Sequence, residues 1–374
     1  MGVLVDHQLK RLASGRLPAI IFDQGLVPES YIQPASFDLP MRPNFYSIAA
    51  EPHLGDGQTI GQYFLDNYRQ NKLSVDEIEG FVTLNPGTLY LFEAACEFNL
   101  PPKINGNANP KSSTGRNFIH SKLITENGRS FDTISSGYNG KLYILVAPRC
   151  FPVRWGPKES LVQIRLRNNE QKFLSKTELL KLNDKTPLLI NSLAIIDSLG
   201  LQLHLDLTGQ PSILVAHKTG RIITLVDRKK HPPHLYFWEK PLDGRGISHL
   251  EPGDSALAKT LELIRIPNSV CAEMSAVNVR HGDVRWHDAG FIDPGFGLDP
   301  TGNNHGAEIV CEISNIGPSP VQIGTGKEIG CLRFEQLDSQ PNKIYGQLNN
   351  SYQLQRGIRL AKQFKPWPSS RKIT

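Results

Sequence analysis

A chain of 374 residues is long enough for two domains that each bury a core. Hydrophobic residues at 39%, charged residues at 21%, 32 Gly and 27 Pro exclude a disordered or fibrous chain and favour short strands joined by turns. A net charge of +5 without a long Lys/Arg run argues against a nucleic-acid partner; the local group Arg228, Lys229, Lys230 reads as a solvated loop.

No stretch of about 18 uninterrupted apolar residues marks a membrane span, and the N-terminus lacks an apolar core followed by a small-residue cleavage site. A cytoplasmic protein is expected. Cys96, Cys150, Cys271, Cys311 and Cys331 are odd in number and lack C-x-x-C spacing, so neither a disulfide framework nor a structural zinc site is indicated. Buried, reduced thiols are the expectation.

In chain order, residues 5–14 and 62–71 read as helices. Alternating runs at 141–146 and 161–166, bounded by Gly, Pro, Asn or Asp, read as strands. A charged stretch comes next, with a short helix at 176–182, and reads as a linker over 168–195. Beyond it, 222–226 and 308–313 read as strands and 354–364 as a C-terminal helix. Short strands at this spacing predict a mainly β protein of sandwich or barrel type, with domains at 1–167 and 196–374.

The two halves repeat one another. Leu84, Pro86, Gly87, Leu91 and Pro101 of LNPGTLYLFEAACEFNLP stand in step with Leu250, Pro252, Gly253, Leu257 and Pro267 of LEPGDSALAKTLELIRIP, all at one offset. SFDL ending at Leu39 recurs as HLDL ending at Leu207, and VQIRL at 162–166 as GCLRF at 330–334. Order and spacing together predict an internal duplication.

Certain segments carry chemistry. KSSTGR places Lys111, the hydroxyls of Ser112 and Ser113, and Arg116 on one turn, a donor set suited to phosphate oxygens. AGFIDPGF at 289–296 forms a turn between strands, and IVCEISN at 309–315 places Glu312 on an alternating strand. With QPASFDL at 33–39, LNPGTLYL at 84–91 and the tail YGQLNNSYQLQ at 345–355, these motifs resemble, in order, the dCTP deaminase branch of the dUTPase superfamily.

The resemblance implies two tandem dUTPase-like β-barrel or sandwich domains with a few short helices. It implies hydrolytic deamination of dCTP to dUTP by a Glu312-activated water, held also by the Ala289 carbonyl and the Ser112 hydroxyl. Lys111, Ser113 and Arg116 would bind phosphates, Arg280 would be the surviving arginine of the second half's phosphate motif, and Asp293 and Phe296 would also bind the substrate. Tyr345 and Gln355 would belong to a lid over the phosphates, although Ser351 stands where the family carries Lys. Magnesium would arrive only with the triphosphate. Zinc deaminases combine H-x-E with P-C-x-x-C, and the second motif is missing, so no zinc is expected. The similar single-domain enzymes are trimers with sites between subunits, which implies a homo-oligomer with sites shared between domains and no nucleic-acid or membrane partner.

The halves differ in complementary ways. The first keeps the phosphate motif, but Leu145 falls in the place of Glu312; the second keeps the carboxylate, but its counterpart of KSSTGR has decayed to MSAVNVR, with Ala276 in the place of the first Ser. One working site per chain is the consequence. Two alternatives remain open at the level of sequence: a dUTP pyrophosphatase using Asp293, or a nucleotide-binding pseudoenzyme.

Overall fold

The computed structural model describes residues 2–14, 18–52, 54, 57–68, 71–75, 79–128, 130–276, 283–286, 289–299, 305–348 and 350–368. Two compact units are formed, one from Met1–Gln171, Ile222–Val226 and Leu337–Asn342, the other from Lys172–Arg221, Asp227–Gln336 and Lys343–Thr374.

In the first unit the run Leu89–Asn99 buries Tyr90, Phe92, Ala94, Cys96 and Phe98 while Glu93, Ala95 and Glu97 between them stay partly exposed. That period-two pattern is the signature of a strand with one face on a core. It is the centre of a six-stranded sheet in the order Lys72–Ser74, Met41–Ile48, Leu89–Asn99, Asn139–Pro148, Ile119–Thr125, with Ile20–Phe22 also on Leu89–Asn99. Phe45 stacks on Phe92 at 4.5 Å, and Trp155 meets Phe92 edge-on at 4.8 Å; all three rings are fully buried. A four-stranded sheet runs Phe37–Leu39, Val162–Asn168, Ile104–Pro110, Thr133–Ile134. In a three-stranded sheet, Ile223–Thr224 lies parallel to Val153–Trp155, which pairs antiparallel with Val82–Leu84.

The second unit is built on a nine-stranded sheet. Ser255–Thr260 sits inside it, pairing with Leu201–Asp206, Leu214–Ala216 and Val310–Asn315. Glu328–Gln336 pairs with Leu201–Asp206 and with Val270–Ala276. Among the described residues no helix is long and apolar enough to cross a membrane. The five cysteines form no disulfide and are buried.

Strand register reproduces the sequence repeat. Ile104–Pro110 and Val270–Ala276 are both 7 residues long and lie at the offset that relates Leu91 to Leu257. Asn107 opposes Arg165 and Gly106 opposes Leu166 in the first unit; Glu273 opposes Arg333 and Ala272 opposes Phe334 in the second. Gly87 and Gly253, the glycines of the two Pro-Gly turns, share the same φ of +79°, a left-handed conformation that costs glycine nothing.

Three expectations are corrected. The stretch 168–195 is no free linker: Ser175 caps the helix Lys176–Lys185 in a capping box with Glu178, and Leu179, Leu188 and Leu189 enter the core of the second unit. The first unit also claims residues 222–226 and 337–342 from the second half of the sequence. No helix forms at 354–364, because Leu354 (φ +52°) and Gly357 (φ +67°) are left-handed. The backbone there bonds strand-like to 229–231, through Lys229 N to Lys362 O at 2.9 Å and Lys230 N to Gln363 O at 2.9 Å.

Candidate active site

The phosphate-type turn begins where Ile104–Pro110 ends. Ser112–Gly115 form a single helical turn, with the Thr114 and Gly115 amides donating to Lys111 O at 2.8 and 3.0 Å. Thr114 Oγ1 donates to Leu161 O at 2.9 Å and Asn117 Nδ2 to Ser113 O at 2.9 Å, so the turn is tied down on both sides. Ser112 and Ser113 are half-buried and Arg116 is buried. Lys111 is held by Asp38 of the SFDL motif at 2.5 Å. Its charge is thus matched within the unit.

In the second unit Glu312 lies on the strand Val310–Asn315, 2% exposed and directly opposite Leu257. The Ala289 amide donates to Glu312 Oε2 at 3.5 Å, so two of the three expected catalytic residues come together. Strand pairing fixes Ala289 from its C-terminal side. Gly290 O accepts from Met274 N at 2.8 Å, and Phe291–Ile292 pairs with Glu273 and Ala272.

The turn after these residues is pinned through Gly295 N to Ile266 O at 3.0 Å and Ile266 N to Phe296 O at 2.8 Å, which leaves Asp293 and Phe296 buried. The tail docks on it. Tyr345 N donates to Pro294 O at 2.8 Å, and its ring meets Phe296 at 5.5 Å and 63°. Gly295 has φ +90°, and a Cβ there would stand 2.7 Å from Ile344 Cβ, so only glycine fits under the tail.

Gln353, which the sequence did not single out, is the clamp. Its amide accepts from Gly297 N at 2.9 Å and donates to Gly295 O, Leu298 O and Tyr345 O at 2.9, 2.6 and 3.3 Å. Gln355 is buried, and its amide donates to Glu308 O at 2.5 Å.

A buried charge network was also missed. Lys259 Nζ bonds to Asp206 of HLDL and, at 2.8 Å, to Glu308 Oε1, while Glu308 Oε2 accepts from Gly357 N at 2.5 Å. Burial works against ionising Asp206 most strongly, but bonds from Lys259 and Thr208 outweigh it and hold the carboxyl below its ordinary range. Burial likewise opposes the Lys259 charge, and Asp206 and Glu308 more than restore it. The aspartate of each DL motif therefore holds a lysine, Lys111 in one unit and Lys259 in the other.

Register sharpens the comparison of the halves. Leu91 opposes Leu145 as Leu257 opposes Glu312, so Leu145 stands at the structural position of the carboxylate. It packs with Ile48, Ile60, Phe64 and Ile124, the middle two from the helix Ile60–Tyr68. Ala276 pairs with Gly330 as Pro110 pairs with Val162, so it answers to Pro110 and not to Ser112, which corrects the expectation. Arg280 and the positions that would answer to KSSTGR lie outside the described residues.

Among the described residues no group of three His, Cys, Asp or Glu side chains is placed to hold a metal ion. The triplet His249-Leu250-Glu251 does read H-x-E, but His249 is bonded to Gln322 across the two-stranded pairing of Ile247–Leu250 with Val321–Gly324. A magnesium ion held by substrate phosphates and water is compatible with this donor set.

The family models of the 2′-deoxycytidine 5′-triphosphate deaminase N-terminal and C-terminal domains match residues 1–170 and 175–364. The chain belongs to this family. The crystal structure of 2′-deoxycytidine 5′-triphosphate deaminase from Agrobacterium tumefaciens superposes with a TM-score of 0.83 at 27% identity, covering 91% of this chain and 96% of that one. The dCTP deaminase, dUMP-forming, of Leifsonia xyli subsp. xyli is 33% identical over 168 residues, 41% of this chain and 78% of the relative. The protein of the same description from Mycobacterium avium is 33% identical over 138 residues, 36% and 67% of the two chains. The mainly β, dUTPase-like fold expected of a dCTP deaminase family member is the fold observed.

Proposed function

We propose that this dCTP deaminase family member hydrolyses dCTP to dUTP and ammonia, with Glu312 as the acid and base. The observation that carries this is the Leu145/Glu312 pair. One duplicated strand position holds leucine in an apolar cluster, and its counterpart holds a carboxylate that is only 2% exposed. A carboxylate is expensive to bury, so its presence here calls for a chemical reason.

Replacing the C4 amine needs a water to lose a proton, then N3 and the leaving nitrogen to gain protons. Glu312 takes a proton from water as the C4–O bond forms and passes it to N3; it then takes the proton of the new C4 hydroxyl and gives it to the amine, so that ammonia departs as the C4–N bond breaks and the C4 carbonyl forms. The Ala289 carbonyl and the Ser112 hydroxyl orient the water, and Ser113 and Arg116 hold phosphate oxygens. Phe296 and Asp293 shape the base and sugar pocket, and magnesium enters as part of the substrate. No step needs zinc.

An ammonia-release assay with dCTP, dCMP and CTP tests the reading. Glu312→Gln should lower kcat by about 10²-fold or more with little change in KM, the usual loss for a general acid–base group. Ordinary turnover in that variant sinks the mechanism. Activity recovered on mixing Glu312→Gln with Arg116→Ala supports a homo-oligomer whose sites draw on two chains. A second reading is favoured by the names of the relatives, which are described as dUMP-forming. In it Asp293 directs a further hydrolysis, releasing pyrophosphate and dUMP; chromatography of the products separates the two.

A further inference from the structure

Strand pairing in the second unit places a buried charge network on the same face of the sheet as Glu312. Where Ser255–Thr260 pairs with Val310–Asn315, Leu257 opposes Glu312, Ser255 opposes Ser314 and Lys259 opposes Val310. Residues directly opposite one another, and residues two apart on one strand, share a face. Ser255, Lys259, Glu312 and Ser314 therefore lie together, and Asp206 joins them because it opposes Lys259 from the other side. The reverse face carries Ala256, Ala258, Cys311 and Ile313 of the apolar core. Lys259 is the diagonal neighbour of Glu312, and such neighbours stand roughly 7–8 Å apart.

Asp206, Lys259 and Glu308 are all buried. Lys259 Nζ donates to Asp206 Oδ2 and Glu308 Oε1, Thr208 donates to Asp206 Oδ1 from N at 2.8 Å and Oγ1 at 2.6 Å, and Gly357 N donates to Glu308 Oε2. Each of the four carboxyl oxygens accepts a bond, which is the role of an ionised carboxylate. Two carboxylates and one ammonium leave one negative charge in surplus. The first half has no such arrangement: Glu93, two residues past Leu91, stands where Lys259 stands two residues past Leu257, and it is half-buried and bonded to Arg42 and Lys141. The buried network accompanies Glu312 and is absent where Leu145 replaces it.

We propose that the Asp206–Lys259–Glu308 network is a positioning element of the deamination site, whose surplus negative charge makes Glu312 readier to hold a proton. This rests on the assignment of Glu312 as acid and base. A group that must both take and give a proton works best when its proton affinity lies near the working pH, and a like charge nearby in a buried site brings a carboxylate toward that range. The other charged groups around this face, among the described residues, are placed differently. His204, two residues before Asp206, is bonded to buried Glu262 at 2.8 Å. Arg285 opposes Ser314, Glu239 opposes Leu214, and both are exposed, where solvent screens them. Arg356 of the tail is exposed and bonded to the carbonyls of His305, Gly306 and Gln355. Asp293 is buried on the turn that follows Ala289.

The test is the pH profile of kcat at saturating dCTP, read at its acid limb, where Glu312 must lose its proton before it can take one from water. Glu308→Gln and Asp206→Asn each remove one negative charge and should move the midpoint of that limb down by about one pH unit. Glu308→Asp keeps the charge and should hold the wild-type midpoint. Ser255→Ala disturbs the same face without a change of charge, removing a hydroxyl that meets Ser314 Oγ at 3.2 Å, and should also leave the midpoint in place. A network that serves stability alone would lower the melting temperature of the charge variants and leave their midpoints unmoved; that result, or an upward shift, overturns the proposal. Where one charge variant does not fold, the other carries the test. An inactive Glu312→Gln together with unmoved midpoints rejects the network's role alone, whereas ordinary turnover in Glu312→Gln rejects the mechanism and the network's role together.

Discussion

Leu145 and Glu312 occupy the same register of two related strands, and exchanging their chemistry isolates what burial costs. Leu145→Glu would place a carboxylate among Ile48, Ile60, Phe64 and Ile124 without a partner built for it. Loss of several kcal/mol is expected, read as a lower urea midpoint, with no gain of deaminase activity. Asp206 has the opposite environment, a cation at contact distance. Its carboxyl is depressed below the usual value, so its stabilisation is complete above the unfolded value of about 3.9 and is lost as pH falls through the folded one. Asp206→Asn should therefore cost about 3–5 kcal/mol at neutral pH, and the gap to wild type should narrow in acid. A gap that stays constant down to pH 3 would contradict this pairing. Glu312 was legible because its motif neighbours identify the strand. Lys259 was not: alternation suggests an outward lysine, but Ser255–Thr260 is buried at every position, so its charge had to be matched inside.

At the scale of elements, the Gln353 clamp and the bare Gly295 hold the tail to the 293–297 turn beside the Tyr345 contacts with Pro294 and Phe296. Gln353→Ala removes four hydrogen bonds. At about 1 kcal/mol net each, partly replaced by water, a local loss near 2–3 kcal/mol is expected, visible as faster proteolysis of the tail. Gly295→Ala should act on the same contact through strain and the clash with Ile344, with a cost of about 1–3 kcal/mol. The helices at 6–13, 60–68 and 176–185 lie close to the ranges read from sequence, because caps and apolar spacing are local signals. The C-terminal segment carried similar spacing yet formed no helix. Its backbone partners are more than a hundred residues away, in the 229–231 loop, and no local pattern encodes such a choice.

For the whole molecule, duplication was legible because turns and strand registers repeat at a common offset. The membership of each unit was not, since it depends on pairings distant in sequence. Val153–Trp155 finds its parallel neighbour in Ile223–Thr224, and Val3 forms a bridge to Leu337. Residues 1–171 expressed alone should leave the Val153–Trp155 edge unpaired and be less soluble than the full chain, which sedimentation of the two products would reveal. A well-behaved monomeric fragment would refute this. The consequence reaches into heredity. After two copies of an ancestral segment were joined, the later copy came to hold pieces that finish the earlier one, so a gene broken at the midpoint would yield two incomplete products. Fusion is thereby locked in: the route back to separately encoded subunits is closed by a few borrowed residues, whichever copy performs the chemistry.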